Sequence, residues 1–210
     1  RLFRTFNAPL EKSFTVVYWM QRGTSKSFDR KSPAASFTVN QLIVDLDELV
    51  DAIRERFGKE KVTIYGHSWG SALGVLYTAR YPDKVAAYVG TGQIGDWPAF
   101  ESASYAFVLA EAERHKQLRA LRELRVIGPP PHTFKKMLVQ RKWLTRFVGI
   151  VRGMSMWKFI RITLSGPEAS IFDLPDIIRG SLISPRAMWA EISALNLVRS
   201  VPALPVPVFF

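Results

Sequence analysis

The sequence predicts an α/β fold: a parallel sheet with helices on both faces, interrupted by an all-helical insertion. Three observations lead there. Residues 61–82, K-V-T-I-Y-G-H-S-W-G-S-A-L-G-V-L-Y-T-A-R-Y-P, read as a short strand, a tight turn and a helix. Strand and helix patterns alternate from residue 14 to residue 89, and that order gives right-handed βαβ units and a parallel sheet. The alternation then stops, and residues 96–199 carry helical patterns alone.

Leu2, Phe3, Phe6 and Leu10 suggest a helix end and a loop. Residues 14–19, F-T-V-V-Y-W, form a near-continuous apolar run, as expected of a strand buried on both faces. A turn follows at 20–27 and a polar loop at 30–36. Residues 38–57 are the clearest helix. Thr38 and Gln41 form a capping box. Val39, Leu42, Ile43, Leu46, Leu49, Val50, Ile53 and Phe57 fall on one stripe, and Gly58 supplies the stop. Asp45, Asp47, Glu48 and Asp51 are assigned to the solvent side. Val62, Ile64 and Tyr65 make a short buried strand. Leu73, Leu76, Tyr77 and Tyr81 follow at helical spacing until Pro82. Residues 85–89, V-A-A-Y-V, are a further buried strand closed by Gly90-Thr91-Gly92. Helices are then expected at 101–124, 134–151, 154–164, 171–178 and 185–197, punctuated by G-P-P-P at 128–131 and S-G-P at 165–167. Residues 206–210, V-P-V-F-F, begin another strand. The expected organisation is a core over 1–96, a helical cap over 97–199 and the next core strand over 200–210.

Composition narrows the function. An apolar fraction of 48% supports a sizeable core, and 22% charged residues is ordinary. No apolar run reaches the ~18 residues of a membrane span. No signal-peptide pattern opens the chain, and the expected location is the cytoplasm. The absence of Cys excludes disulfides, thiolate chemistry and Cys-ligated zinc. Three scattered histidines, His67, His115 and His132, offer no metal-binding spacing. Neither metal nor organic cofactor is expected. Net charge is +11, and residues 114–161 hold 13 Lys or Arg against one acid, Glu123. Such a stretch could meet nucleic acid or an anionic membrane. A solvated helical face is the preferred reading, because no nucleic-acid-binding motif accompanies the charge.

Gly66-His67-Ser68-Trp69-Gly70 matches G-x-S-x-G in the strand–turn–helix setting of a nucleophile elbow. The backbones of strand and helix nearly touch in such a turn, so Gly66 and Gly70 are expected to be glycine for want of room. The turn lifts the Ser68 hydroxyl out of the sheet, at the positive end of the following helix. The Trp69 amide is aimed where an oxyanion would form. Ser68, Gln93 and the 20–27 turn are expected around the crevice at the C-terminal ends of the strands.

V-V-Y-W-M-Q-R-G-T-S-K-S-F at 16–28 and I-Y-G-H-S-W-G-S-A-L-G-V-L-Y-T-A-R-Y-P at 64–82 together resemble the α/β-hydrolases. The closest likeness is to the proline-iminopeptidase-like serine aminopeptidases, whose members carry a D-Q-R-G-x-G-x-S turn and a G-x-S-W-G-S elbow. The resemblance is sharp over 14–95 and architectural beyond. It implies an α/β-hydrolase-type sheet, Ser68 as nucleophile, the Trp69 amide as one oxyanion donor, and a small-molecule or peptide substrate. Such enzymes hold the substrate's free amine with carboxylates, and Glu101, Glu111 and Glu113 are the cap acids available. Met20 stands where the turn has Asp, and Ser25 where it has Gly. The family's H-G-G-P-G loop and its catalytic Asp and His have no counterpart in these residues, so the chain reads as a hydrolase core truncated at both ends. Asp96, just past the 85–89 strand, is the possible stand-in acid. His115 and His132 are expected at the cap surface, and His67 points away from the nucleophile.

The expected function is acyl transfer from an amide or ester to Ser68, followed by hydrolysis. An esterase or lipase of the same fold is the alternative enzyme; epoxide and haloalkane hydrolases use Asp at the elbow, and Ser68 argues against them. A non-catalytic binding protein that keeps the fold is the rival from another class, and a nucleic-acid or membrane-surface binder using the basic stretch is the last. Oligomeric state does not follow from these patterns.

Overall fold

The computed structural model describes residues 7–24, 27–29, 31–148 and 174–210. Two compact units are distinguishable. One takes in Ser32–Ser102 and Pro185–Phe210; the other takes in the described residues among Arg1–Lys31 and Ala103–Ser184.

The first unit holds the sheet. Strands β1 (Val62–His67), β2 (Val85–Thr91) and β3 (Val208–Phe209) run parallel in the order β1-β2-β3. Gly66 pairs with Gly90 and His67 with Thr91, while Tyr88 and Val89 pair with Val208 and Phe209. Central β2 buries Val85, Tyr88 and Gly90. β1 is not the buried strand expected: Thr63, Tyr65 and His67 are exposed, alternating with half-buried Val62 and Ile64. An edge strand covered on one face shows this period-two pattern.

Helix α1 (Val39–Phe57) buries Val39, Leu42, Ile43 and Val50. Thr38 Oγ1 accepts the Gln41 N–H at 3.0 Å, but the Gln41 side chain turns to Asp45 at 2.9 Å, so only half of the capping box forms. Gly58 ends the helix in the left-handed region, φ 59°, as its position after the stripe requires. Phe57 is exposed. Asp47 and Asp51 do not simply face solvent. The Lys84 ammonium donates to both at 2.7 Å, and the Tyr77 hydroxyl to Asp47 at 3.1 Å. These bonds tie α1 to helix α2 (Trp69–Arg80) and to the turn after it. They hold the Asp51 carboxyl below, and the Lys84 ammonium above, its ordinary pKa. Ala72, Val75, Tyr88 and Leu197 form the core between sheet and helix, with Ile64, Leu76, Val206 and Val208 around them.

Helix α3 (Trp97–Arg114) starts in the sheet unit and runs into the other, which also contains α4 (Leu118–Ile127) and α5 (Phe134–Val148). The single helix expected over 101–124 is two. Lys116 adopts φ 51°, the Gln117 N–H bonds Ala112 O at 2.9 Å and the Lys116 N–H bonds Glu113 O at 3.0 Å. That is a Schellman stop with lysine at the left-handed position, so no glycine announces it. Val108, Ala112, Ala120, Leu124, Ile127 and Trp143 pack as this unit's core. Glu123 gathers much of the local charge. It accepts from Arg119 at 3.0 Å, from the Lys142 ammonium, and from the Trp143 indole at 2.9 Å.

Helix α6 (Leu174–Ala187) merges the end of one expected helix with the start of the next, and Pro185 sits in its last turn. Two short helices follow, α7 (Trp189–Ser193) and α8 (Leu197–Ser200). The helix expected at 154–164, Ser25, and the cations Arg152, Lys158 and Arg161 lie outside the described residues. Residues 14–19 form no strand; residues 15–20 are irregular, and Phe14, Val17 and Tyr18 are exposed. A strand exists through its ladder, and no described segment pairs with this one. In the described part of the 20–27 turn, the Thr24 N–H donates to Gln21 O at 3.0 Å and the Ser27 N–H to Thr24 O at 2.9 Å.

Candidate active site

Ser68 is the single residue between the end of β1 and the start of α2. Its backbone lies at φ 51°, ψ −121°, a region that non-glycine residues avoid and that costs ~1–3 kcal/mol to occupy. Three hydrogen bonds hold it there. The Ser68 N–H donates to Thr91 O at 3.0 Å, and Ser68 O accepts from the Ser71 N–H at 2.9 Å and the Ser71 hydroxyl at 2.6 Å.

Gly66 makes the turn possible. A Cβ there would lie 2.5 Å from Gly70 O and 2.7 Å from Ser71 Cα, both backbone atoms that cannot step aside. The same expectation fails for Gly70, where an added Cβ meets nothing within 4 Å. Crowding falls on the strand side of the turn, because the helix carries its second glycine away from the strand.

The Ser68 hydroxyl is exposed, and no side chain among the described residues hydrogen-bonds it. The Trp69 N–H belongs to the first turn of α2, where amides have no acceptor within the helix. Its indole packs on the sheet core. His67 Nδ1 lies 3.0 Å from Thr91 Oγ1, which also meets the Tyr65 hydroxyl at 3.1 Å. The histidine therefore props β1 against β2. At the C-terminal ends of β2 and β3 an open recess of about 420 Å³ is lined by Gly90, Thr91, Gly92, Gln93 and Phe210. Gln93 is fixed there by the Tyr88 hydroxyl at 2.6 Å and by its own bond to Ile94 O at 2.8 Å. Burial pushes the Tyr88 phenol up to about 12, so it stays a neutral donor.

The remaining candidates each have partners of their own within their units. Asp96 caps α3: Oδ1 accepts the Ala99 N–H at 3.0 Å and Oδ2 the Asn196 amide at 2.8 Å. Both oxygens have structural partners. His132 is buried rather than on the surface, with Nε2 2.8 Å from Gly128 O and its ring edge-on to Tyr105. His115 stacks on Phe147 and meets Arg114 at 2.9 Å. Of the three acids considered for an amine, Glu101 is buried and Glu111 is bound by Arg114 at 2.6 Å. That bond holds the Glu111 carboxyl below the usual range. Glu113 lies 3.9 Å from Arg125. No group of three potential metal ligands occurs among the described residues.

A family model described as alpha/beta hydrolase fold matches residues 1–134. The chain belongs to the α/β-hydrolase fold family. Among relatives of this hydrolase-fold chain, a probable aminopeptidase, YbaC, of Bacillus subtilis is 29% identical over 213 residues, spanning 99% of this chain and 66% of that one. A probable proline iminopeptidase of Streptomyces coelicolor is 36% identical over 84 residues, 38% of this chain and 25% of that one. The crystal structure of VinJ superposes with a TM-score of 0.57 at 15% identity, covering 99% of this chain and 67% of that one. The chain thus spans about two thirds of the Bacillus relative and a quarter of the Streptomyces one.

Three further residues hold the elbow through bonds that no motif assigns to them: Ser71, Tyr88 and Thr91. Ser71 was legible in part, as the last letter of G-x-S-W-G-S. Tyr88 and Thr91 depend on the register of β2 against β1, which no local pattern carries.

Proposed function

We propose that this chain carries the nucleophile of a serine aminopeptidase of the proline-iminopeptidase type. The observation that carries the reading is the strained backbone of Ser68, held between a parallel strand and a helix over a glycine that admits no Cβ. Strained backbone persists only where its surroundings over-determine it, and such residues cluster at active sites. The likeness to the probable aminopeptidase of Bacillus and the probable proline iminopeptidase of Streptomyces supports the aminopeptidase class.

In this reading Ser68 Oγ attacks the carbonyl carbon of the substrate's first residue and gives up its proton to a general base. The tetrahedral oxyanion faces the Trp69 N–H. The C–N bond then breaks, the amine leaves with a proton, and water releases the acyl group from Ser68. No described residue is assigned as the base. The helical stretch from Trp97 onward is proposed to select the substrate, and the chemistry needs no cofactor.

The test uses the protein with any flanking residues of its reading frame, assayed on prolyl and other aminoacyl p-nitroanilides beside p-nitrophenyl esters. Turnover of the anilides that falls on the order of 10⁴-fold in Ser68→Ala is the expected outcome. Ester turnover alone would favour the esterase alternative. Turnover untouched by Ser68→Ala would remove the nucleophile.

A further inference from the structure

We infer that Ser71 is a positioning residue that sets the direction and strength of the Trp69 oxyanion donor; the inference rests on Ser68 being the nucleophile. Ser68 C=O and Trp69 N–H belong to the same planar, trans unit, so fixing the carbonyl fixes the amide on its other side. Two donors from one residue fix that carbonyl: the Ser71 N–H at 2.9 Å and the Ser71 hydroxyl at 2.6 Å. The first is ordinary for a helix start. The second is an added side-chain bond, from a residue that is itself completely buried.

The hydroxyl is part of a chain. Ile94, two residues past the lining residue Gly92, donates its N–H to Ser71 Oγ at 3.0 Å. Ser71 Oγ–H donates onward to Ser68 O, and the Trp69 N–H points out of the far side of that peptide. Bonds in series polarise one another, so each donor upstream makes the Trp69 N–H more positive. The Tyr88 hydroxyl of central β2 lies between Gln93 Oε1 at 2.6 Å and the Ser71 carbonyl at 2.9 Å, its one proton shared between the two acceptors. The frame of the sheet is thereby transmitted to one amide. This matters most in the transition state, when charge on the oxyanion is greatest, and least for the neutral bound substrate.

Ser71→Ala deletes the hydroxyl and keeps the N–H. Thr78→Val is the matched control: it deletes another fully buried hydroxyl from the same helix, one with no hydrogen-bond partner and no link to Ser68. Activity is expressed per site titrated with a fluorophosphonate, so that loss of folded protein does not count as loss of rate. In Ser71→Ala we expect kcat per titrated site to fall roughly tenfold, a fraction of the ~10²–10³ lost with a direct oxyanion donor. KM should stay within about twofold, and affinity for an aminoalkyl boronic acid, which binds as a tetrahedral anion, should drop in parallel with kcat. Ser71→Thr, which retains the hydroxyl, should recover most of the rate, and Thr78→Val should keep it all. An unchanged kcat per site in Ser71→Ala, with Ser68 still titrating, overturns the role of Ser71 and leaves the nucleophile standing. A rise in KM matching the fall in kcat/KM, with kcat kept, also overturns it. Turnover that survives Ser68→Ala removes both claims together. Should Ser71→Ala not fold, Ser71→Cys, a weaker donor of similar size, must show the same kcat-selective loss.

Discussion

At the scale of single residues the turn at Ser68 trades stability for presentation of a hydroxyl. Glycine occupies φ 51°, ψ −121° without the penalty a serine meets there. Ser68→Gly should therefore stabilise the sheet unit by about 1 kcal/mol while abolishing turnover. Denaturant melts of the two proteins check this, and a destabilised Ser68→Gly would show that the backbone is not strained. The two glycines of the motif should separate as sharply. Gly66→Ala drives a Cβ to 2.5 Å from Gly70 O and should cost about 3 kcal/mol or more, because a backbone atom must shift. Gly70→Ala meets open space and should change stability by no more than ~0.5 kcal/mol. Equal losses at the two positions would contradict the geometry. The motif was legible as letters. Which glycine is crowded was not, because that depends on the direction in which each missing Cβ would point.

At the scale of elements, local signals were read well where one segment decides its own fate. The stripe from Val39 to Val50, the cap at Thr38 and the stop at Gly58 all sit where the sequence puts them. They failed where a second segment decides. Residues 14–19 look like a buried strand by composition, yet no described segment pairs with them. The break after Arg114 hides because Lys116 takes a place that glycine usually marks. Asp47 and Asp51 look like solvent-face acids until the fold brings Lys84 to them. Glu123 is the clearest case of charge acting between elements, since it joins α4 to Lys142 and Trp143 of α5. The Lys142 bond first, then those from Arg119 and Trp143, lower its carboxyl from the ordinary 4.5 to about 2. A depressed folded-state value stabilises above the unfolded pKa and stops doing so as pH falls through the folded one. The contribution is thus complete above about pH 4.5 and lost on the way to about pH 2. Glu123→Gln should lower thermal stability at pH 7 and flatten the acid-side decline in that window. Parallel Tm–pH curves for the two proteins would show that Glu123 is not responsible.

At the scale of the whole molecule, a net charge of +11 invites a nucleic-acid reading. We propose instead that the basic stretch is a solvated helical face. Arg114, Arg119, Arg125 and Lys142 each have a carboxylate partner, and exposed Leu118 and Val126 flank the cations of α4. Duplex DNA should bind no tighter than the ~10⁻⁴ M end of the non-specific range at physiological salt. Fluorescence anisotropy with a labelled duplex checks this, and sub-micromolar binding with a steep salt slope would revive a nucleic-acid function. Among the described residues no helix is long and apolar enough to cross a membrane.

We propose Ser68, and no other serine, as the nucleophile. The most direct measurement is covalent trapping. The protein, with any flanking residues of its reading frame, is treated with a fluorophosphonate, digested, and its peptides are mapped by mass spectrometry. The expected result is a single phosphonyl adduct on the peptide containing residues 66–70, at Ser68, formed in step with loss of aminoacyl anilide turnover and absent from Ser68→Ala. An adduct on another serine that carries the activity, or full activity with no adduct at Ser68, would contradict it.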